Sequence, residues 1–202
     1  MTDPVGPSSL DESYFRDLYA ADPDPWRFET SDYEAAKYAE TLAALGDRHY
    51  AAGLEVGCSI GVLTGALARR VDHLTAIDIA EAPLARARAR NRDAANIGFR
   101  KAAFPAETPA GPFDLIVLSE VLYYLDAADL EQACWTVLDR LAPGGDVVLV
   151  HWLGETPDYP LTGDEAAEAF IRTARPALTT VRRTRRASYR LDGLRKRRPS
   201  SP

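Results

Sequence analysis

The chain has 202 residues, of which 46% are hydrophobic and 27% charged, a length and balance that suit one compact domain with a sizeable core. Its net charge of −6 is uneven: from residue 182 onward nine Arg or Lys stand against one Asp, leaving 15 basic and 29 acidic side chains before it. An acidic body argues against nucleic-acid binding by most of the chain and confines any such role to the basic tail.

The opening "MTDPVGPSSLDE" is acidic and Pro-rich rather than basic then apolar, so it does not read as a signal peptide. No apolar run reaches the length of a membrane span, and a cytoplasmic location is expected. The two cysteines, Cys58 and Cys134, are too few for a disulfide framework and are expected to be reduced.

"SSLDESYFRDLYAA" predicts a short aromatic helix, with Ser9 as N-cap and Glu12 three residues on. "DPDPWRFETS" reads as a turn-rich connector, and Ser31 with Glu34 as a second capping box. The helix it opens runs to Gly46. Strands are then expected at Leu54–Cys58, Leu74–Ile79, Ile97–Lys101, Phe113–Ser119 and Asp146–Trp152, with helices near 60–70, 81–95 and 127–141 between them. Near-continuous apolar strands separated by helices predict a parallel sheet covered on both faces, a doubly wound α/β domain. A helix near 163–175 follows, and "ALTTVRRTRRASYRLDGLRK" suggests two antiparallel strands at the sheet edge.

In such a sheet the ligand lies beyond the carboxyl ends of the strands, above the first strand-to-helix turn. Here that turn is "LEVGCSIGVLT". Gly57 and Gly61 allow close backbone approach, and the helix begun near Ile60 offers free amide hydrogens. Neither the dinucleotide pattern G-x-G-x-x-G nor the phosphate loop G-x-x-x-x-G-K-[ST] is present; the pattern is E-x-G-x-x-x-G. Glu55 in the strand end repels a pyrophosphate and suits an ammonium group. Asp78, ending "LTAIDIA", is placed to accept from two ribose hydroxyls. An amino-acid head joined to a ribose is S-adenosylmethionine.

These motifs, with "FDLIVLSEVLYYL" and "LAPGGDVVLVHW", resemble class I S-adenosylmethionine-dependent methyltransferases over about residues 50–152. "LYAADPDPWRFETSDYEAAKY", "EVGCSIGVLT", "SEVLYYL" and the late "YRLDGL" are similar to nodulation protein S and its relatives across nearly the whole chain. The resemblance implies a doubly wound, mostly parallel Rossmann-like domain spanning 1–202. It divides into an N-terminal helical cap (1–46), a cofactor-binding core (47–155) and a C-terminal helix, edge strands and basic tail (156–202). It also implies N-methylation of the amine of an amino sugar or oligosaccharide; a small-molecule O-methyltransferase and an RNA-directed enzyme are the rival readings.

By that pattern Glu55, Gly57, Cys58, Ser59 and Gly61 surround the methionine part of the cofactor. Asp78 binds the ribose and Ile79 packs on the adenine, while Phe104 and backbone groups stand where a polar adenine contact is usual. Ser119, Glu120 and Val121 face the sulfonium and the acceptor. Glu120 holds or deprotonates the acceptor amine, or caps the next helix. His151 is a general base or a hydrogen-bonded strand end. Tyr123, Tyr124 and Trp152 stack on a sugar or serve as core and rim aromatics. Tyr14, Trp26, Tyr33 and Tyr38 form a lid over the cofactor, with Tyr14, Trp26 and Tyr33 reaching the acceptor, or only pack the cap on the sheet. The tail arginines are expected to guard an edge strand before a frayed end.

Overall fold

In the computed structural model, which describes residues 8–199, the chain begins with helices α1 (Glu12–Ala21) and α2 (Asp32–Ala44). Then come β1 (Tyr50–Val56), α3 (Val62–Leu67), β2 (Val71–Asp78), α4 (Glu81–Arg90), β3 (Ile97–Lys101) and β4 (Phe113–Ser119). The remainder is α5 (Ala127–Arg140), β5 (Leu141–Trp152), α6 (Gly163–Ala174), β6 (Leu178–Arg185) and β7 (Tyr189–Lys196). Residues 1–7 and 200–202, which include the start of "MTDPVGPSSLDE" and the end of "RKRRPSSP", lie outside the described residues.

The strands form one seven-stranded sheet in the order β3-β2-β1-β4-β5-β7-β6. β1 to β5 pair in parallel, and β7 is antiparallel to both β5 and β6. Strand order reverses between β1 and β4, which puts the crevice for a ligand beyond their carboxyl ends. This is the class I methyltransferase, Rossmann-like fold.

Period-two alternation sends successive strand residues to opposite faces. Leu54, Val56, Ile116 and Leu118 share a core with Leu130 of α5 and Phe170 of α6. Leu115, Val117, Val148 and Val150 share another with Leu63 and Leu67 of α3. Both faces are covered, which is why β4 reads "FDLIVLS" with hardly a polar break.

Several boundaries differ from the expectation, each for a local reason. β1 starts at Tyr50, because its early residues pair with β2 (Tyr50↔Val71) and the Tyr50 hydroxyl reaches Asp146 at 2.9 Å. β5 starts at Leu141, and a bulge between the pairs Phe113↔Leu141 and Leu115↔Asp146 absorbs the "APGG" that looked like a loop. α4 stops at Arg90, where the Asn91 side chain donates to the carbonyls of Ala87 and Gly61. The N-cap of α1 is Asp11, not Ser9: the Asp11 carboxylate accepts from the amides of Ser13 and Tyr14. Ser9 instead accepts from the amide of Asp126 and donates to Asp129, tying the N-terminal segment to α5.

Of the two C-terminal strands only β6 lies at an edge of the sheet, since β7 sits between β5 and β6; β3 forms the opposite edge. Arg185 binds Asp164, Arg186 binds Glu40, Arg195 binds Asp146, and the nearly buried Arg190 binds Asp164, Glu168 and Asp192. These four arginines therefore neutralise acids of this same chain, and Arg195 and Lys196 belong to β7 rather than to a frayed end.

Candidate active site

The turn after β1 is laced to the end of β2. The amides of Gly57 and Cys58 donate to the Ile77 carbonyl at 2.8 and 3.0 Å. The amide of Ser59 donates to Asp78 Oδ2 at 2.8 Å and that of Ala80 to Oδ1 at 3.0 Å. Gly57 has φ +72°, and a Cβ there would stand 2.5 Å from Val121 Cγ1; both the conformation and the space call for glycine. From above, the Tyr19 hydroxyl of α1 meets Ser59 Oγ at 2.5 Å. Trp26 packs edge-on against Tyr19 and stacks on Phe28, so the connector joins the cap.

The turn is strongly desolvated. Burial, reinforced by the charge of Asp78, pushes the Glu55 carboxyl up to about 8, and its Oε2 has no hydrogen-bond partner among the described residues. Burial also raises Asp78, to about 6, with backbone amides of Ala80, Ser59 and Ile79 opposing it. The Cys58 thiol is pushed well up by burial and then by Asp78 and Glu55, so it is no nucleophile at neutral pH.

Beyond β4, Glu120 sits in the left-handed region at φ 58°. Its Oε1 accepts from Lys37 Nζ at 2.6 Å, and its Oε2 from the Tyr123 hydroxyl and the Trp152 amide, both at 2.8 Å. Lys37, only 3% exposed, also pairs with Glu34 at 2.9 Å and lies 5.3 Å from the centre of the Tyr33 ring. Burial raises the Glu34 carboxyl, against the lowering effect of Lys37. Glu120 spends its oxygens on these groups rather than on capping the short 3₁₀ turn Leu122–Tyr124.

These parts enclose a cavity of about 580 Å³. The expected cofactor residues Glu55, Gly57, Cys58, Ser59, Asp78 and Ile79 line it, as do Phe104, Ser119, Glu120 and Val121. Of the aromatics, Tyr14, Trp26, Tyr33, Tyr123 and Trp152 reach it, and Tyr38 and Tyr124 as well.

Two expected residues are absent from the wall. Gly61, at φ +76°, begins α3, and a Cβ there would lie 2.8 Å from the Ala87 Cβ. Its bareness lets α3 approach α4 instead of a ligand. His151 is fully buried; its Nε2 accepts from the Leu122 amide at 3.3 Å, and burial, opposed by Glu120, lowers it to about 4. A ring so enclosed cannot exchange protons with an acceptor, and the strand-end role is the one the geometry supports.

Lys37, Glu34, Tyr19 and Tyr159 line the same cavity and were not expected there. Glu34 reads in the sequence only as the partner of Ser31 in a capping box, and Lys37, three residues on along the same helix, carries no motif of its own. Ser31 does cap α2 by accepting from the Glu34 amide at 3.3 Å, while the Glu34 side chain turns to Lys37. Only their three-residue spacing hinted at a shared face. Tyr159, stacked on Tyr123 with ring centres 5.4 Å apart, sits in a loop without periodicity and left no signal.

The family profile of nodulation protein S (NodS) matches residues 9–186. The chain belongs to this family. Family members include the nodulation protein S of Rhizobium tropici, 39% identical over 131 residues, which cover 64% of this chain and 55% of that protein. The protein of the same name from Sinorhizobium fredii is 35% identical over 127 residues, covering 62% and 59% of the two chains. The chain thus spans little more than half the length of these curated relatives. Among solved structures, N-methyltransferase NodS from Bradyrhizobium japonicum WM9 in complex with S-adenosyl-L-homocysteine superposes with a TM-score of 0.78 at 26% identity. That match covers 93% of this chain and 99% of the NodS chain, and the span of the family profile takes in α1 and α2 as well as the strands up to β6.

Proposed function

We propose that the protein is an S-adenosylmethionine-dependent methyltransferase that N-methylates a small amino-sugar or oligosaccharide acceptor. One observation carries the reading: a single cavity joins two desolvated carboxylates around a bare glycine turn to a third carboxylate, Glu120, beyond the neighbouring strand. The residues fit the cofactor. The unpartnered Oε2 of Glu55 suits its ammonium group. Asp78 accepts from the Ser59 and Ala80 amides at Oδ2 and Oδ1, with the Ile79 amide also facing it, and of about four lone-pair sites keeps one for a ribose hydroxyl. Gly57 provides a floor that any Cβ would fill. When bound, S-adenosylmethionine supplies an electrophilic methyl group on a sulfonium.

The chain's own work is to hold the two reactants in line, keep water out and receive a proton. The aromatic cap serves the second task, with Tyr19, Trp26 and Phe28 packed over the turn. As the new N–C bond forms and the old S–C bond breaks, the amine's surplus proton passes to Glu120 or to water. A hydroxyl acceptor needs a stronger base open to the cavity, and His151 is sealed away; this favours nitrogen over oxygen. Pairing of the tail arginines within the chain speaks against an RNA substrate. Free, buried Cys58 and Cys134 suit a reducing cytoplasm, and no helix among the described residues is long and apolar enough to cross a membrane.

The test is methyl transfer from labelled S-adenosylmethionine to a panel of glucosamine, deacetylated chitooligosaccharides, their N-acetylated forms and simple phenols. Label on the free amines and none on the N-acetylated forms is expected. Transfer to phenols alone overturns the nitrogen reading, and no S-adenosylhomocysteine affinity by calorimetry overturns the cofactor assignment.

A further inference from the structure

The cap and the acceptor side of the cavity are joined by one buried ion-pair cluster. Lys37 of α2 contacts Glu34 one helical turn away and Glu120 across the fold. A buried ammonium is costly unless fully partnered, and here two carboxylates and the Tyr33 ring surround it. Glu120 is held in turn from three directions: by Lys37, by the Tyr123 hydroxyl and by the Trp152 amide. Its backbone, at φ 58°, is in a region a glutamate seldom occupies, so the surrounding bonds must fix it there. An ionised carboxylate offers about four lone-pair sites; three are taken, and Glu120 still lines the cavity.

We propose that Lys37 is a positioning residue: by pinning Oε1 of Glu120, it fixes that carboxylate so that its remaining lone pair accepts from an N–H of the acceptor amine. This rests on the reading of Glu120 as facing the acceptor. Lys37 acts through Glu120, from the cap side of the cavity. The same contact ties the placement of α2 to the placement of the acceptor, since a shift of the helix carries Glu120 with it.

The experiment uses Lys37→Met, Lys37→Arg and the double variant Lys37→Met/Glu34→Gln, which keeps the cluster at the charge it has in the native chain. Each is loaded with S-adenosylhomocysteine, and the backbone amide of Trp152 is followed by ¹H–¹⁵N spectroscopy, because that amide donates to Glu120. In parallel, kcat and KM are measured with glucosamine as acceptor. The expected result is a displaced Trp152 amide and a kcat lowered about 10- to 100-fold in the two Met variants, the size of loss that a small misplacement causes. S-adenosylhomocysteine affinity stays close to native, and Lys37→Arg restores both the amide position and most of kcat. An unmoved Trp152 amide in both Met variants overturns the proposal whatever the acceptor is. So does a loss of activity that tracks loss of melting temperature and cofactor affinity and is not restored by Arg, because a purely structural lysine behaves that way. If the amide moves while the native protein methylates no amine, the amine reading falls and the placement of Glu120 by Lys37 stands.

Discussion

Substituting Gly57 by alanine separates the two demands on the cofactor turn. The residue has φ +72°, and the new Cβ would stand 2.5 Å from Val121 Cγ1. A left-handed conformation costs a non-glycine residue about 1–2 kcal/mol. Forcing a methyl into occupied space costs about 1–3 kcal/mol more, since Val121 is β-branched and has little rotamer freedom to withdraw. Where the variant's turn relaxes in the free protein, binding must restore this geometry and the cost falls on affinity; strain that stays in the free protein lowers its melting temperature instead. At about 1.4 kcal/mol per tenfold, Gly57→Ala weakens S-adenosylhomocysteine binding by about 30-fold or more. Val121→Ala removes the offending Cγ1, so the double variant recovers the steric share and keeps the conformational one. Calorimetric titrations of the four proteins, with melting curves to detect strain left in the free state, measure both shares. If Gly57→Ala binds as the native protein does, or if Val121→Ala restores nothing, the turn is not where the ligand approaches.

Glu55, held near 8 mainly by burial, is largely protonated at neutral pH and must ionise to meet an ammonium; binding therefore releases a proton and tightens as pH rises from about 6 to 8. Calorimetry in buffers of different ionisation heat detects that proton, and Glu55→Gln abolishes both the release and the trend. Asp78→Ala removes the acceptor for the Ser59 amide as well as the ribose partner, and affinity falls at least about tenfold, as loss of a charge-assisted hydrogen bond implies; unchanged calorimetric affinity in this variant refutes the ribose assignment. His151, lowered to about 4 in the fold against an ordinary value of 6.5, stays neutral while the unfolded chain takes up a proton. Its contribution to stability is thus lost as pH falls from about 6.5 toward 4, amounting to about 2 kcal/mol by pH 5, and urea midpoints show a shallower loss in His151→Asn. Arg190→Met leaves the wholly buried Asp192 with Arg183 alone, at 3.2 Å; since breaking a buried pair costs up to about 3–5 kcal/mol, a melting point within a degree or two of native contradicts a structural role for the Arg190 pair.

The sheet was legible because its strands carry their own instructions. β3 and β4 run over the very residues that pattern alone suggests, and the glycine turn announced itself by Glu55, Gly57 and Asp78. Where boundaries slipped, long-range contacts decided: Tyr50 joined β1 through Asp146, and the bulge opposite Phe113 extended β5 through "APGG". Gly61 and His151 misled because glycines and histidines near a site look alike whether they face ligand or core. Burial settles that, and it depends on Ala87 and Leu122, which no local spacing connects to them. The tail arginines looked like free charge because Glu40, Asp146, Asp164 and Glu168 lie far away in sequence.

The same contrast divides the two halves of the cavity. The half proposed for the cofactor is assembled from the ends of adjacent strands β1 and β2, tied by the Gly57 and Cys58 amides on the Ile77 carbonyl, a backbone link that any side chain leaves intact. The half proposed for the acceptor is assembled from side chains of separate segments: Tyr33 and Lys37 from α2, Glu120 after β4, Trp152 at the end of β5 and Tyr159 in the loop beyond it. Changing one of these alters what the cavity can hold without moving the turn that contains Gly57. A fold of this kind can therefore keep one cofactor while its acceptor changes. On the reading proposed above, the acceptor is selected by contacts such as Lys37 to Glu120, 83 residues apart, and not by any continuous motif.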